Sequence, residues 1–268
     1  FLKKIFSIFL IFNLTCVSSA QAAATFDDIN GDGTGFSVGD EDVDPTGIAF
    51  NNDGTKMFVV NSGDEDVKEF TLTTGFDLST ATLKSSFDVS GQESAPSTLA
   101  FNGDGTKMFV LGRSGNDINV YTLSTGFDLL TATFNDINGD GSGFDVSGQD
   151  ERPRGLAFNN DGTKMFLIGL DGNDFNGDVN EYTLSTGFDL TSTVTFVDSL
   201  DVSAQGSPGG ITFNNTGTKM FFVDQGDADV NSYSLDCGFK VVNSGKCEEP
   251  PKIKDVRGIV DAQINTAK

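Results

Sequence analysis

The chain has 268 residues, 37% hydrophobic and 21% charged, and its 39 acidic against 17 basic residues give a net charge of −22. That composition fits a folded domain, and a surface of this sign repels a phosphate backbone, so no nucleic-acid partner is expected. The chain contains no histidine and no tryptophan, which removes Ser-His-Asp and Cys-His nucleophile pairs and any imidazole-held metal.

The first 22 residues read as a secretory signal. Lys3 and Lys4 precede an apolar run from Ile5 to Val17, and Ala20-Gln21-Ala22 offers a small-residue cleavage site. The run is short for a membrane span. Leu14-Thr15-Cys16 makes a poor lipidation box. The first residue is Phe1 rather than Met, and a residue upstream of it is expected. These features place the mature chain in an exported location: periplasm, cell surface or extracellular space. Removal of the signal leaves Cys237 and Cys247 as the remaining pair. They are expected to form a disulfide, the alternative being two free thiols.

Internal repetition dominates the rest. The block GIAFNNDGTKMFVV (47–60) recurs as TLAFNGDGTKMFVL (98–111), GLAFNNDGTKMFLI (155–168) and GITFNNTGTKMFFV (210–223). Pro45, Pro96, Pro153 and Pro208 stand just before each copy, and every methionine of the chain (Met57, Met108, Met165, Met220) holds the same place in its block. A period near 50 residues with several short strands per unit fits a propeller rather than a solenoid.

Within unit one, strand A is expected at Gly47–Phe50. A turn at Asn52-Asp53-Gly54 leads to strand B at Lys56–Asn61, then strand C at Asp66–Leu72. The segment Thr74-Gly75-Phe76-Asp77 turns the chain into strand D, Thr80–Val89. This is a four-stranded antiparallel meander. In unit four, strand C is expected at Val230–Leu235, with no strand D behind it. Residues 24–41 match residues 132–150, the strand D region of unit two. The expectation is therefore an all-β, four-bladed β-propeller of four-stranded antiparallel blades over residues 23–247. Its repeats span about 45–95, 96–152, 153–207 and 208–240, and the N-terminal strand 24–38 completes the last blade and closes the ring.

The PxGIAFNNDGTKMFVVN signature at the A–B hairpin resembles the repeats of secreted bacterial β-propellers of the YVTN and lactonase-like type. The resemblance covers roughly residues 25–240 and implies the fold. It says little about activity, because propellers host enzymes, adhesins and scaffolds.

A meander sends its D–A and B–C loops to one face. That face carries most of the acidic excess, and Asp66, Asp117, Asp178 and Asp229 recur there, each four residues before the aromatic of strand C. One reading is a cation or cationic-ligand site near the channel mouth. The other is an Asp that caps each turn through its own backbone. Arg113, Arg152 and Arg154 form a less negative sector, which either grips an anion or pairs with Asp150 and Glu151. The strand B phenylalanines and methionines read as inter-blade core.

Two loops, Asp28-Ile29-Asn30-Gly31-Asp32-Gly33 and Asp136-Ile137-Asn138-Gly139-Asp140-Gly141, carry the opening half of a calcium-loop pattern. Asp28, Asn30 and Asp32, with Asp136, Asn138 and Asp140, are the candidate Ca²⁺ ligands. The acid expected at position 12 is replaced by Gly39 and Ser147, so acidic turns without metal remain the alternative. The pattern also resembles the calcium hairpins inserted in integrin-type propeller blades.

Residues 248–268 read as a Pro-containing linker and a short helix, expected to be cut off from a longer chain. This tail resembles the junction between autotransporter-like passengers and their outer-membrane barrel, so a membrane link is expected only through a barrel further on. Three functions are open on these grounds: an exported non-enzymatic binding or display module for an unidentified extracellular ligand or protein, a Ca²⁺- or Mg²⁺-assisted lactonase-like hydrolase, or a structural surface repeat.

Overall fold

The computed structural model describes residues 35–38, 44–171 and 176–241. The chain divides into two compact units, Phe1–Phe36 and Ser37–Lys268, and of the first only Gly35 and Phe36 are described. The described part of the second unit is all β, apart from three single-turn 3-10 segments.

Blade one consists of β1 (Pro45–Phe50), β2 (Lys56–Asn61), β3 (Asp66–Leu72) and β4 (Ala81–Asp88). Blade two has β5 (Pro96–Phe101), β6 (Lys107–Gly112), β7 (Asp117–Leu123), and β8 (Ala132–Phe134) with β9 (Phe144–Asp145) sharing the outer edge. Blade three has β10 (Pro153–Phe158), β11 (Lys164–Asp171), β12 (Asn176–Leu184) and β13 (Val194–Asp201). Blade four shows β14 (Pro208–Phe213), β15 (Lys219–Asp224) and β16 (Asp229–Ser234). Each sheet is an antiparallel meander in sequence order. The architecture is a four-bladed β-propeller.

The repeated sequence explains the turns. In each A–B hairpin an asparagine side chain accepts from the backbone N–H of the strand B lysine: Asn51 from Lys56 and Asn102 from Lys107 at 2.9 Å, Asn214 from Lys219 at 3.0 Å. The glycine of each turn has positive φ, as at Gly54 with +72°. In the C–D turn Phe76, Phe127, Phe188 and Phe239 also take positive φ, between 53° and 60°. Such a backbone costs a phenylalanine on the order of 1 kcal/mol. Ring packing offsets it: Phe76 lies over Gly54, where a Cβ would meet its ring at 2.3 Å, and sits 5.4 Å from Phe50. The A–B and C–D turns of one blade are thus stapled together, and the Phe76 N–H donates to Gly54 O at 3.0 Å.

Strand B joins each blade to the next. Phe58 packs on Phe101, Phe109 on Phe158 and Phe166 on Phe213, with ring centroids 4.5–4.8 Å apart. Lys107 donates to Phe188 O at 2.8 Å and Lys164 to Phe239 O at 2.6 Å, and Lys56 donates likewise to Phe127 O. Three buried clusters result, one in each seam from blade one to blade four.

A single buried carboxylate recurs between the D–A loop and the B–C turn, supplied by the loop in blades two and three and by strand B in blade four. In blade two it is Glu93, which accepts from the N–H groups of Ala95, Ser114 and Gly115 at 2.6, 3.1 and 3.0 Å. Strand B ends there on Gly112, where a Cβ would lie 1.8 Å from Glu93 Oε2. Blade three repeats this with Asp150 and Gly169. In blade four the roles are exchanged: Asp224 ends strand B and accepts from Ser207 N and Gly226 N at 3.0 and 2.7 Å, and the loop offers Gly206.

Three boundaries differ from the sequence expectation. Strand A begins at Pro45, because a bulge between Pro45 and Gly47 carries pairing past the proline. Strand D of blade one is shortened to Ala81–Asp88, because Leu78–Thr80 forms a 3-10 turn capped by Asp77. Strand C of blade four is Asp229–Ser234, in register with β15 from Lys219↔Ser234 to Asp224↔Asp229. The closing strand expected at 24–38 lies outside the described residues up to residue 34, and residues 35–38 carry no strand.

Candidate functional site: the axial cavity

The first strand of every blade faces the axis. β1 packs beside β5, β5 beside β10, and β10 beside β14. Glycines permit the close approach: a Cβ on Gly47 would stand 2.9 Å from Thr98 Cα, and one on Gly155 would meet Gly209 O at 2.9 Å. These four strands and the neighbouring loops wall a cavity of about 590 Å³, within the size range of small-molecule sites.

The residue after each pre-hairpin proline occupies equivalent places around this cavity: Thr46, Ser97, Arg154 and Gly209. The two hydroxyls are spent on backbone, Thr46 donating to Pro96 O at 2.9 Å and Ser97 to Leu111 O at 3.1 Å. Arg154 breaks the fourfold pattern. Its guanidinium reaches from blade three to blade four and donates from one terminal nitrogen to Ser207 Oγ at 2.7 Å and Gln225 Oε1 at 3.2 Å. Its Nε is buried with no hydrogen-bond partner. Burial, and then the charges of Arg113 and Arg152, push Arg154 below its ordinary pKa, while Asp150 opposes them. Arg113 also lines the cavity and is exposed. Among the described residues the one carboxylate in the lining is Asp44, which accepts from Ser62 Oγ at 3.0 Å. Leu156 and Ile211, with the exposed Ile48 and Val223, supply an apolar wall.

The structure therefore brings together Arg113 and Arg154 at the cavity, with Arg152 close enough to act on Arg154 electrostatically. It does not bring Asp66, Asp117, Asp178 and Asp229 to the axis. They lie on the third strand of each sheet, two strands out, with Asp66, Asp117 and Asp229 at its first residue and Asp178 at its third, and none lines the cavity. Asp117 accepts from Gly143 N at 2.9 Å and from Asn119 Nδ2 at 2.8 Å; Asp178 and Asp229 accept from Asn180 and Asn231, both at 3.0 Å. Asp66 accepts from Ser86 Oγ. Asp66, Asp117 and Asp178 are buried opposite Asp88, Asp145 and Asp201 of the fourth strand, whereas Asp229 is exposed. Burial raises the Asp117 pKa, with Glu93 as a like charge, against the Gly143 N–H.

In the loop at 136–141 the Asp136 carboxylate accepts from Gly139 N at 2.7 Å and Gly141 N at 3.1 Å, and Asp140 accepts from Ser142 N at 3.0 Å. Asn138 Nδ2 donates to Gly143 O at 2.7 Å. The acids turn toward their own backbone, and among the described residues no three acids or cysteines converge as a metal-ligand group. Asp28, Asn30 and Asp32 lie outside the described residues, as does Cys247. Cys237 is disulfide-bonded, to a partner outside the described residues.

Sequence reading passed over Thr46, Ser97 and Gln225. The signal was available: the position after each repeated proline reads Thr, Ser, Arg, Gly, one long cation among three small residues.

No family model and no curated protein matches the chain. Among solved structures it is similar to a functionally unknown protein from Desulfotomaculum acetoxidans DSM 771 (20% identity, TM-score 0.45, 74% of this chain and 56% of that one). It is also similar to a putative 6-phosphogluconolactonase from Bacteroides uniformis ATCC 8492 (15%, 0.46, 72% and 54%). A third is the Cps50 (Swd1) β-propeller domain of Myceliophteria thermophila (13%, 0.44, 71% and 54%). The chain spans little more than half the length of each of these proteins.

Proposed function

We propose that this chain is an exported, non-enzymatic binding module that takes a small ligand in the axial cavity. The observation that carries the reading is the cavity itself, walled by the first strand of every blade and opened by one arginine where the other blades place small residues. Acid–base hydrolysis works through paired titratable groups, whereas among the described residues Asp44 is the single carboxylate in this lining, in a chain without histidine. Export is supported by the signal-like N-terminal segment and by the disulfide at Cys237, a bond that persists in oxidising compartments. The acidic loops around the cavity suit a displayed domain that must stay soluble.

A hydrolysis screen on lactones and phosphoesters with Mg²⁺ or Ca²⁺ tests the non-enzymatic part. No turnover is expected; metal-dependent turnover abolished by Asp44→Ala, or by Asp66→Ala with Asp178→Ala, would replace binding by catalysis. Fractionation of cells expressing the full chain tests export, and retention in the cytoplasm would contradict it. Calcium at 136–141 is a separate proposal resting on the Asp136, Asn138 and Asp140 oxygens. It requires Asp136 to release the Gly139 and Gly141 amides, and a Ca²⁺ titration without heat or thermal shift removes it.

A further inference from the structure

Three of the chain's four arginines, Arg113, Arg152 and Arg154, gather at or beside one cavity in a molecule of net charge −22. No ion pair to a carboxylate is present for Arg113 or Arg154 among the described residues, although acids are abundant throughout the chain. Lys56, Lys68, Lys84 and Lys164, by contrast, do pair with acids. A half-buried guanidinium whose hydrogen-bond partners are neutral is open to a further acceptor, and its planar fork matches an oxyanion. Ser207 and Gln225 fix the Arg154 plane and leave its buried Nε without an acceptor. A donor in that condition costs free energy until something accepts from it. Arg113, on the B–C loop of blade two, adds a second exposed guanidinium to the same lining. Among the described residues of the lining two cations stand against one carboxylate, Asp44, so the described lining is locally positive inside an acidic chain. The remaining wall is apolar, with Ile48 58% and Val223 43% exposed beside Leu156 and Ile211.

We infer that the ligand of the axial cavity is a small organic anion, a carboxylate or phosphate monoester with an apolar body, its oxyanion held by Arg154 and Arg113 and its body laid against Ile48, Ile211 and Val223. The inference rests on the binding-module reading above and names the class of ligand that module takes. The acidic surroundings give it a kinetic signature. At long range the chain repels its own ligand, so moderate salt raises the association rate while weakening the contact once made.

The test is calorimetry of the full chain with four probes of one chain length: octanoate, octyl phosphate, 1-octanol and octylammonium. Octanoate or octyl phosphate is expected to bind more tightly than the alcohol, and the ammonium least; the tighter of the two anions identifies the oxyanion. Arg154→Gln is expected to weaken the preferred anion by about tenfold or more, with Arg154→Lys intermediate because the charge stays and the fork is lost. Arg113→Gln, at an exposed position, gives a second readout should Arg154 variants fold poorly, and circular dichroism checks each variant. Equal binding of octanol, or anion binding indifferent to both arginines, overturns the inference and leaves the binding module standing. No binding of any probe to a folded chain overturns both.

Discussion

Strand B of blade two, Lys107-Met108-Phe109-Val110-Leu111, and strand B of blade four, Lys219-Met220-Phe221-Phe222-Val223, are nearly the same sequence in the same hairpin. Phe109 and Leu111 are fully buried, whereas Phe221 is half-buried and Val223 is exposed. Lys107 crosses to the Phe188 carbonyl of the next blade; Lys219 turns back to Ser234 Oγ of its own sheet, at 3.0 Å. Phe76, the blade-one equivalent of the phenylalanines that accept these lysines, is 61% exposed. The repeat therefore specifies a sheet, and the following blade decides which side of that sheet becomes core. Met108 and Met220 face the preceding blade, and both are buried.

The largest effect that bears on this contrast is Phe109→Ala, expected to cost about 3–5 kcal/mol in urea unfolding, against less than about 1.5 kcal/mol for Phe221→Ala. Equal losses would show that blade four is covered as blade two is. Next is Glu69, buried in blade one, where Lys56 at 2.9 Å, Lys84 at 3.1 Å and the Leu129 N–H at 3.0 Å all converge on it. Glu69→Ala removes the acid that both lysines share, leaving Lys56 its bond to Phe127 O and Lys84 its pair with Asp128, and is expected to cost about 3 kcal/mol. Blade four has Ser232 in the same place, so Ser232→Ala should be close to neutral. Lys107→Met loses the bond to Phe188 O and is expected to cost about 1 kcal/mol. Lys219→Met should stay within about 0.5 kcal/mol, as an exposed contact does.

The smallest effect is read by pH. Asp53, Asp104 and Asp161 in the A–B turns of the first three blades are held below the ordinary carboxylate value of 3.8 by the hydroxyl and then the amide of Thr55, Thr106 and Thr163. A lowered folded-state pKa contributes stability above the unfolded value, and that contribution is lost as pH falls through the folded value. Amide protection at these three turns, measured relative to the intrinsic exchange rate at each pH, is therefore expected to fall below pH 3.8. The equivalent turn of blade four has Thr216 and should not respond. Asp117 runs the other way: burial raises its pKa, so its ionised form opposes folding at neutral pH. Asp117→Asn is expected to leave stability unchanged or slightly raised there. A marked loss would mean that the Gly143 and Asn119 bonds outweigh burial.

Strands B and C of blade one were readable to the residue because their turns are written in residues with few conformational options. Asn-Asp-Gly-Thr fixes the A–B hairpin through side-chain bonds, and Thr-Gly-Phe-Asp fixes the C–D turn through one left-handed residue. Strand D was less legible, since Asp77 caps a 3-10 turn with the same residues that would begin a strand. The acidic set at Asp66, Asp117, Asp178 and Asp229 shows a different limit. Connectivity assigns a loop to a face of the ring but says nothing of its distance from the axis, and strand C stands third. The cavity was hidden for the converse reason. Its key contrast, Thr46, Ser97, Arg154 and Gly209, lies at one repeated position, but that position gains meaning only once strand A is known to be innermost. The Arg113, Arg152 and Arg154 sector was legible as charge; the cavity beside it was not.

The exchange of acid and glycine between blades two and four also bears on how such a gene can change. Glu93 fits because strand B ends on Gly112, and Asp224 fits because its loop offers Gly206. Splicing the blade-two loop onto the blade-four hairpin would crowd two carboxylates into one buried corner, and the reciprocal chimera would leave the amides there with none. Units that look interchangeable by sequence are thus keyed to their own halves, and recombination between them is viable only where the crossover carries loop and strand end together.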